Sequence, residues 1–100
     1  MNIIQKKDSN LISLALSGRL DSVTQNELAE TLNKIFSSET ASLMFDFSGL
    51  DYISSAGLRV LLTAQKKVNS WGTTMKIIGV KPEIREVFEM TGFADIMTIE

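Results

Sequence analysis

Two adjacent hydroxyls, Ser54 and Ser55, stand directly before Ala56-Gly57 and an apolar run that recurs at helical spacing. Serines in that position most often cap a helix, because the hydroxyl accepts a hydrogen bond from a first-turn N–H that has no other partner. Nucleophilic chemistry is a poor fit. Ile53-Ser54-Ser55-Ala56-Gly57 is not the Gly-x-Ser-x-Gly elbow, and the chain contains no histidine to activate a hydroxyl.

The absences narrow the field further. Without histidine the chain lacks the commonest general base and the commonest metal ligand. Without cysteine it has no disulfide framework, thiolate nucleophile or cysteine-based zinc site, which fits a reducing, cytoplasmic compartment. The carboxylates are scattered, so no metal or other cofactor is implied. Ten basic and twelve acidic side chains leave a net charge of −2, and Lys and Arg gather only at Lys6-Lys7 and Lys66-Lys67, which argues against nucleic acid as a partner. The N-terminus loses its apolar character after Ile3-Ile4, so neither a signal peptide nor direct membrane insertion is expected. One hundred residues with 44% apolar content suffice for one core, and residues 1–100 read as a single domain with its function on the surface.

The elements that must hold the serine pair follow from periodicity. Asn2–Lys6 and Leu11–Leu16 read as a strand hairpin around Lys7-Asp8-Ser9-Asn10, since Ile12, Leu14 and Leu16 alternate with Leu11, Ser13 and Ala15. Ser22 and Gln25 have capping-box spacing and open a helix whose apolar stripe is Leu28, Ala29, Leu32, Ile35 and Phe36. Leu43–Phe47 is a buried strand closed by Ser48-Gly49. After the serines, Leu58, Leu61, Leu62, Gln65 and Val68 trace a helix that ends at Gly72. Thr74–Ile78 is the next strand, Pro82 opens a helix that Gly92 closes, and Asp95–Ile99 is a last short strand. The order ββαβαβαβ implies an α/β fold with a mixed, largely parallel β-sheet, its first strand antiparallel at an edge and helices packed on it.

The segment DFSGLDYISSAGLRVLL at Asp46 to Leu62 resembles the STAS domains, in particular the bacterial anti-sigma factor antagonists. LSGRLD at Leu16 to Asp21 and IIGVKPEIREVFEMTGFADIM at Ile77 to Met97 extend the resemblance over essentially the whole chain. In that family the phosphorylated serine stands two residues before a glycine in Asp-Ser-(Ser/Thr)-Gly. Counting back from Gly57 gives Ser55, with Ser54 in place of the acid and Ala56 in place of the second hydroxyl, so Ser54 is the rival site. The resemblance implies a partner-switching protein that is not itself an enzyme. Its unphosphorylated form would bind an anti-sigma factor that is also a serine kinase of histidine-kinase-like ATPase fold. Phosphorylation at Ser55 would release it, and a serine phosphatase of the metal-dependent class would reset it. The alternative is a STAS docking or regulatory subunit of a membrane transport assembly. Nucleotide binding, a third use of the fold, lacks a Gly-rich phosphate loop here.

A phosphate suits that position physically. The first turn of a helix carries unpaired N–H groups and a partial positive charge, and Arg59 lies four residues on from Ser55, on the same helical face. Asp21, Asp46 and Asp51 are expected at the same edge of the sheet, although each is also an ordinary turn residue. Asp21, Asp51, Ser54, Gly57 and Arg59 are the expected partner-binding residues. Gly57 is unusual inside a first turn, where it costs about 1 kcal/mol relative to Ala, and either a docked partner or tight internal packing explains it. Asp46 after Leu43-Met44-Phe45 also resembles the phosphorylated aspartate of response-regulator receivers, but no acidic pair follows the first strands.

Overall fold

Alternation in the second strand sets the architecture. In the computed structural model, which describes residues 1–100, β1 (Asn2–Asp8) and β2 (Leu11–Leu20) form an antiparallel hairpin in which Ile12, Leu14, Leu16 and Leu20 are buried while Leu11, Ser13 and Ala15 are only partly covered. The chain continues through α1 (Gln25–Ser38), β3 (Ser42–Ile53), α2 (Ser55–Trp71), β4 (Met75–Ile78), α3 (Pro82–Thr91), a 3-10 turn (Phe93–Asp95) and β5 (Thr98–Ile99). The strands lie in the order β1-β2-β3-β4-β5, antiparallel at β1–β2 and parallel thereafter.

Because each parallel crossover steps one strand in the same direction, crossovers of one hand bring all three helices to one face of the sheet. Leu28, Leu32 and Ile35 of α1, Leu58, Leu61, Ala64 and Val68 of α2, and Ile84 and Phe88 of α3 are buried there against Leu14, Phe45, Phe47 and Ile77. The other face is bare. Register places Ile4, Ala15, Asp46 and Ile78 in one row across it, and none of them is buried.

The third strand does not stop at Ser48-Gly49. Between Ala15 and Ser17 of β2 the facing strand runs from Asp46 to Gly49, and between Gly18 and Arg19 it runs from Leu50 to Tyr52, so β3 takes up an extra residue twice. Each bulge shifts the inward face by one position. The buried residues Phe47, Leu50 and Ile53 therefore recur every third residue, and the strand carries on to the foot of α2. Asp46 stabilises the first bulge: its Oδ1 accepts from the Ser48 N–H at 2.9 Å and the Ser48 hydroxyl at 2.6 Å, which holds its carboxyl below the ordinary aspartate pKa.

Other departures from the sequence expectations are local. The hairpin strands are longer than expected, leaving only Ser9 and Asn10 between them, with Ser9 at φ 58°. The chain after Gly92 closes through the 3-10 turn before β5, because Phe93 and Ala94 pack against the core and only Thr98 and Ile99 reach β4. Helix α1 is not capped by Ser22 with Gln25. Its N-cap is Thr24, whose side chain makes no capping bond, and Asp21 holds the turn that leads into the helix, accepting through Oδ1 from the Val23 and Thr24 N–H groups at 3.0 Å each, while its own N–H donates to Thr24 Oγ1 at 2.9 Å. The exchange is reciprocal, as in a capping box, with a threonine hydroxyl in the role usually taken by Glu or Gln.

Candidate functional site

The serine pair lies where β3 hands over to α2, and the two hydroxyls have different surroundings. Ser54 is in extended conformation at φ −100°, ψ 172°, and its N–H donates to the Leu20 carbonyl at 2.9 Å. Its Oγ accepts from the Gly57 N–H at 3.3 Å and its carbonyl accepts from the Leu58 N–H at 3.0 Å. Ser54 is the N-cap and joins the end of β2 to the start of α2. Ser55 is the first helical residue, exposed, with a hydroxyl that makes no hydrogen bond. The N–H groups of Ser55 and Ala56 also lack partners, as the first turn of a helix dictates.

Gly57 is buried against the same junction. A Cβ on Gly57 would lie 2.7 Å from Leu20 Cγ and 3.1 Å from the Leu20 carbonyl oxygen. Internal packing thus accounts for the glycine, which is buried.

Asp21 follows Leu20 directly, so the loop that opens α1 borders the serines. Hydrogen bonds from the Thr24 and Val23 N–H groups, joined by the Thr24 hydroxyl and the charge of Arg19, hold the Asp21 carboxyl below its ordinary pKa. Asp51 is exposed near the end of β3, about 10 Å along an extended strand from Ser54. Its Oδ1 accepts from Lys81 Nζ at 2.5 Å, which ties β3 to the foot of α3. Arg59 is exposed in the second turn of α2 and forms no ion pair. Asp46 does not join this group. It sits on the bare sheet face, eight residues before Ser54, with its carboxylate committed to Ser48.

One feature of this end was not legible beforehand. Arg19 and Tyr52 are partners in the β2–β3 register, and the Arg19 guanidinium lies 4.1 Å from the Tyr52 ring centroid. The second bulge turns Tyr52 outward. Val23, 77% exposed in the Asp21–Thr24 loop, is the other large apolar residue here.

No helix of the protein is long and apolar enough to cross a membrane. Comparison with known proteins agrees with the geometry. The family model described as "STAS domain" matches residues 2–100. The chain is 31% identical over 99 residues to BtrV of Bordetella bronchiseptica, covering 99% of this chain and 85% of that protein. It is 28% identical over 103 aligned positions to the anti-sigma-B factor antagonist of Listeria monocytogenes, covering 100% and 90%. Among solved structures, the anti-sigma factor antagonist SpoIIAA in its unphosphorylated form superposes with a TM-score of 0.86 at 15% identity, over 99% of this chain and 88% of that one. The phosphorylated form of the Bacillus SpoIIAA gives 0.77 at 16% identity, over 99% and 91%. With a family model spanning all but the first residue and the same sheet with its helices on one face, the chain belongs to the STAS domain family.

Proposed function

We propose that this protein is an anti-sigma factor antagonist whose unphosphorylated form binds an anti-sigma factor with serine-kinase activity and whose phosphorylation at Ser55 dissolves that complex. The observation that carries this reading is the division of labour between the serines: Ser54 is occupied as the cap, while Ser55 is exposed with a free hydroxyl beside unpaired first-turn N–H groups. The relative named an anti-sigma-B factor antagonist supports it, as does the existence of SpoIIAA in both phosphorylation states.

The switch works through charge at a fixed point. A phosphate adds about −1.5 to −2 at pH 7, nearly doubling the magnitude of a net charge of −2. The partial positive end of α2 and Arg59 tolerate that dianion locally, so the domain stays folded. A partner seated over Ser55 would have to bury it. By analogy with disrupted interfacial charges the penalty is about 2–5 kcal/mol, or roughly 30-fold to several-thousand-fold in affinity. The domain itself is a ligand and substrate; a serine phosphatase restores the binding form.

The test is a titration of an anti-sigma kinase from the same organism with wild type, Ser55→Ala and Ser55→Asp. Wild type and Ser55→Ala bind alike, and Ser55→Asp binds at least tenfold more weakly. Equal binding by all three would refute the switch.

A further inference from the structure

A trough runs along the second strand on the bare face of the sheet. Side chains alternate along a strand, so Ser13, Ala15 and Ser17 of β2 point away from the helices, between Ile4 and Lys6 of β1 and Met44, Asp46 and Ser48 of β3. The odd-numbered residues of β1 point the other way: Ile3 packs on the core and Lys7 pairs with Glu39 at the end of α1. The short β2 side chains leave room above them. Ile4, Lys6, Ser13, Ala15, Met44 and Asp46 surround a hollow of about 290 Å³, and a second of about 120 Å³ continues it past Ala15 toward Ser17 and Ser48. Ile4 stands on the rim, 59% exposed.

The charges of this face nearly cancel. Arg19 with Asp21, Lys76 with Glu100 and Lys81 with Asp51 are ion pairs within the molecule, which leaves Lys6 against Asp8 and Asp46. Lys6 and Asp46 line the same hollow without meeting, and neither has an ion-pair partner. Asp46 Oδ1 is taken by Ser48, whereas Oδ2 accepts no hydrogen bond. With no sign in large excess, nothing here selects a strongly charged partner. The face instead carries both halves of a contact: a protruding isoleucine beside a hollow, and an unpaired cation across that hollow from an unpaired carboxylate. Self-complementarity of this kind is what a two-fold contact requires, because the same patch must serve on both copies.

We propose that the protein self-associates through this sheet face, with Ile4 of each copy seated over Ala15 of the other and Lys6 paired with Asp46 of the other. Four strands present a face of roughly 20 by 24 Å, on the order of 1,000 Å² in projection for two copies. That is the lower limit for a specific interface, so the dimer is a weak one, with a dissociation constant of roughly micromolar or above. The helices occupy the opposite face, which leaves Ser55 of both copies open. Self-association holds whether or not Ser55 is a switch.

Sedimentation velocity over a concentration series from roughly 1 to 500 μM tests it. The wild type moves from one copy toward two across the series. Ile4→Asp places a charge in the hollow and Ala15→Gln fills it, and each weakens association about tenfold or more. Lys6→Asp and Asp46→Lys each weaken it by a similar factor, and an equimolar mixture of these two variants associates again, because each copy then presents the sign that the other lacks. Circular dichroism establishes that the variants are folded. If Asp46→Lys does not fold, for want of the carboxylate that holds the bulge, Ile4→Asp and Ala15→Gln decide the matter alone, since both lie on the outer face. A wild type that stays monomeric across the series overturns the proposal. So does a dimer indifferent to Ile4→Asp and Ala15→Gln, which would place the contact elsewhere, and so does a mixture of folded charge-reversed variants that fails to associate.

Discussion

Leu20 fills the space that a side chain at Gly57 would need: a Cβ there would stand 2.7 Å from Leu20 Cγ, and Leu20 has no exposed surface into which it could retreat. The same residue accepts the Ser54 N–H through its carbonyl, so one leucine fixes both the height and the approach of helix α2.

Gly57→Ala should therefore destabilise the protein despite the better helix propensity of alanine. Overpacking of this kind costs about 1–3 kcal/mol, against about 1 kcal/mol recovered from propensity. The expected net loss is up to about 2 kcal/mol by chemical denaturation, and it shrinks when Leu20→Val is combined with it, which a double-mutant cycle would detect. A stabilised Gly57→Ala would show that the helix shifts freely and that the junction is not rigid.

The two serines should separate in a stability measurement made without any partner. Ser54→Ala removes a cap whose 3.3 Å hydrogen bond is long, so its cost falls toward the lower part of the usual range, about 0.5–1 kcal/mol. Ser55→Ala removes an exposed hydroxyl that bonds to nothing and stays within about 0.5 kcal/mol of wild type. Equal losses would mean that both hydroxyls are structural.

Asp21→Ala removes the carboxylate that holds the turn leading into α1. It leaves the Val23 and Thr24 N–H groups without their acceptor, and about 1 kcal/mol of stability is lost, whereas Ser22→Ala is near neutral. The comparison is read from two denaturation midpoints, and the reverse order would restore Ser22 as the cap.

Acid titration tests Asp46. Its folded pKa is depressed by the hydrogen bonds from Ser48, so its contribution is present above the ordinary aspartate value and is lost as pH falls through the lower folded value. Stability of the wild type should fall more steeply than that of Asp46→Asn below about pH 4. Parallel curves would mean that the carboxylate has no net preference for its place in the bulge.

The strands and helices were legible wherever burial follows one period. Ile12, Leu14 and Leu16 announce β2, and Leu58, Leu61 and Val68 announce α2, because one face of each meets a single core. Beyond Phe47 that reading failed for a physical reason. Two bulges change the inward period from two to three, and Ser48-Gly49, which has turn composition, lies within a strand whose irregularity Asp46 stabilises. The start of α1 was expected at Ser22 but lies at Gln25, because Asp21 and Thr24 bond to each other and hold residues 22–24 as a turn ahead of the helix. At the site, the spacing to Gly57 marked Ser55. The Arg19–Tyr52 stack depends on a register slip that no local pattern reveals.

Whether Ser55 rather than Ser54 is the residue acted upon is decided by incubating the purified protein with its anti-sigma kinase and ATP and mapping the modified residue by fragmentation mass spectrometry. One phosphate is expected, on Ser55, abolished in Ser55→Ala and retained in Ser54→Ala. Phosphate on Ser54, or none on either serine while the kinase modifies a different residue, would contradict it.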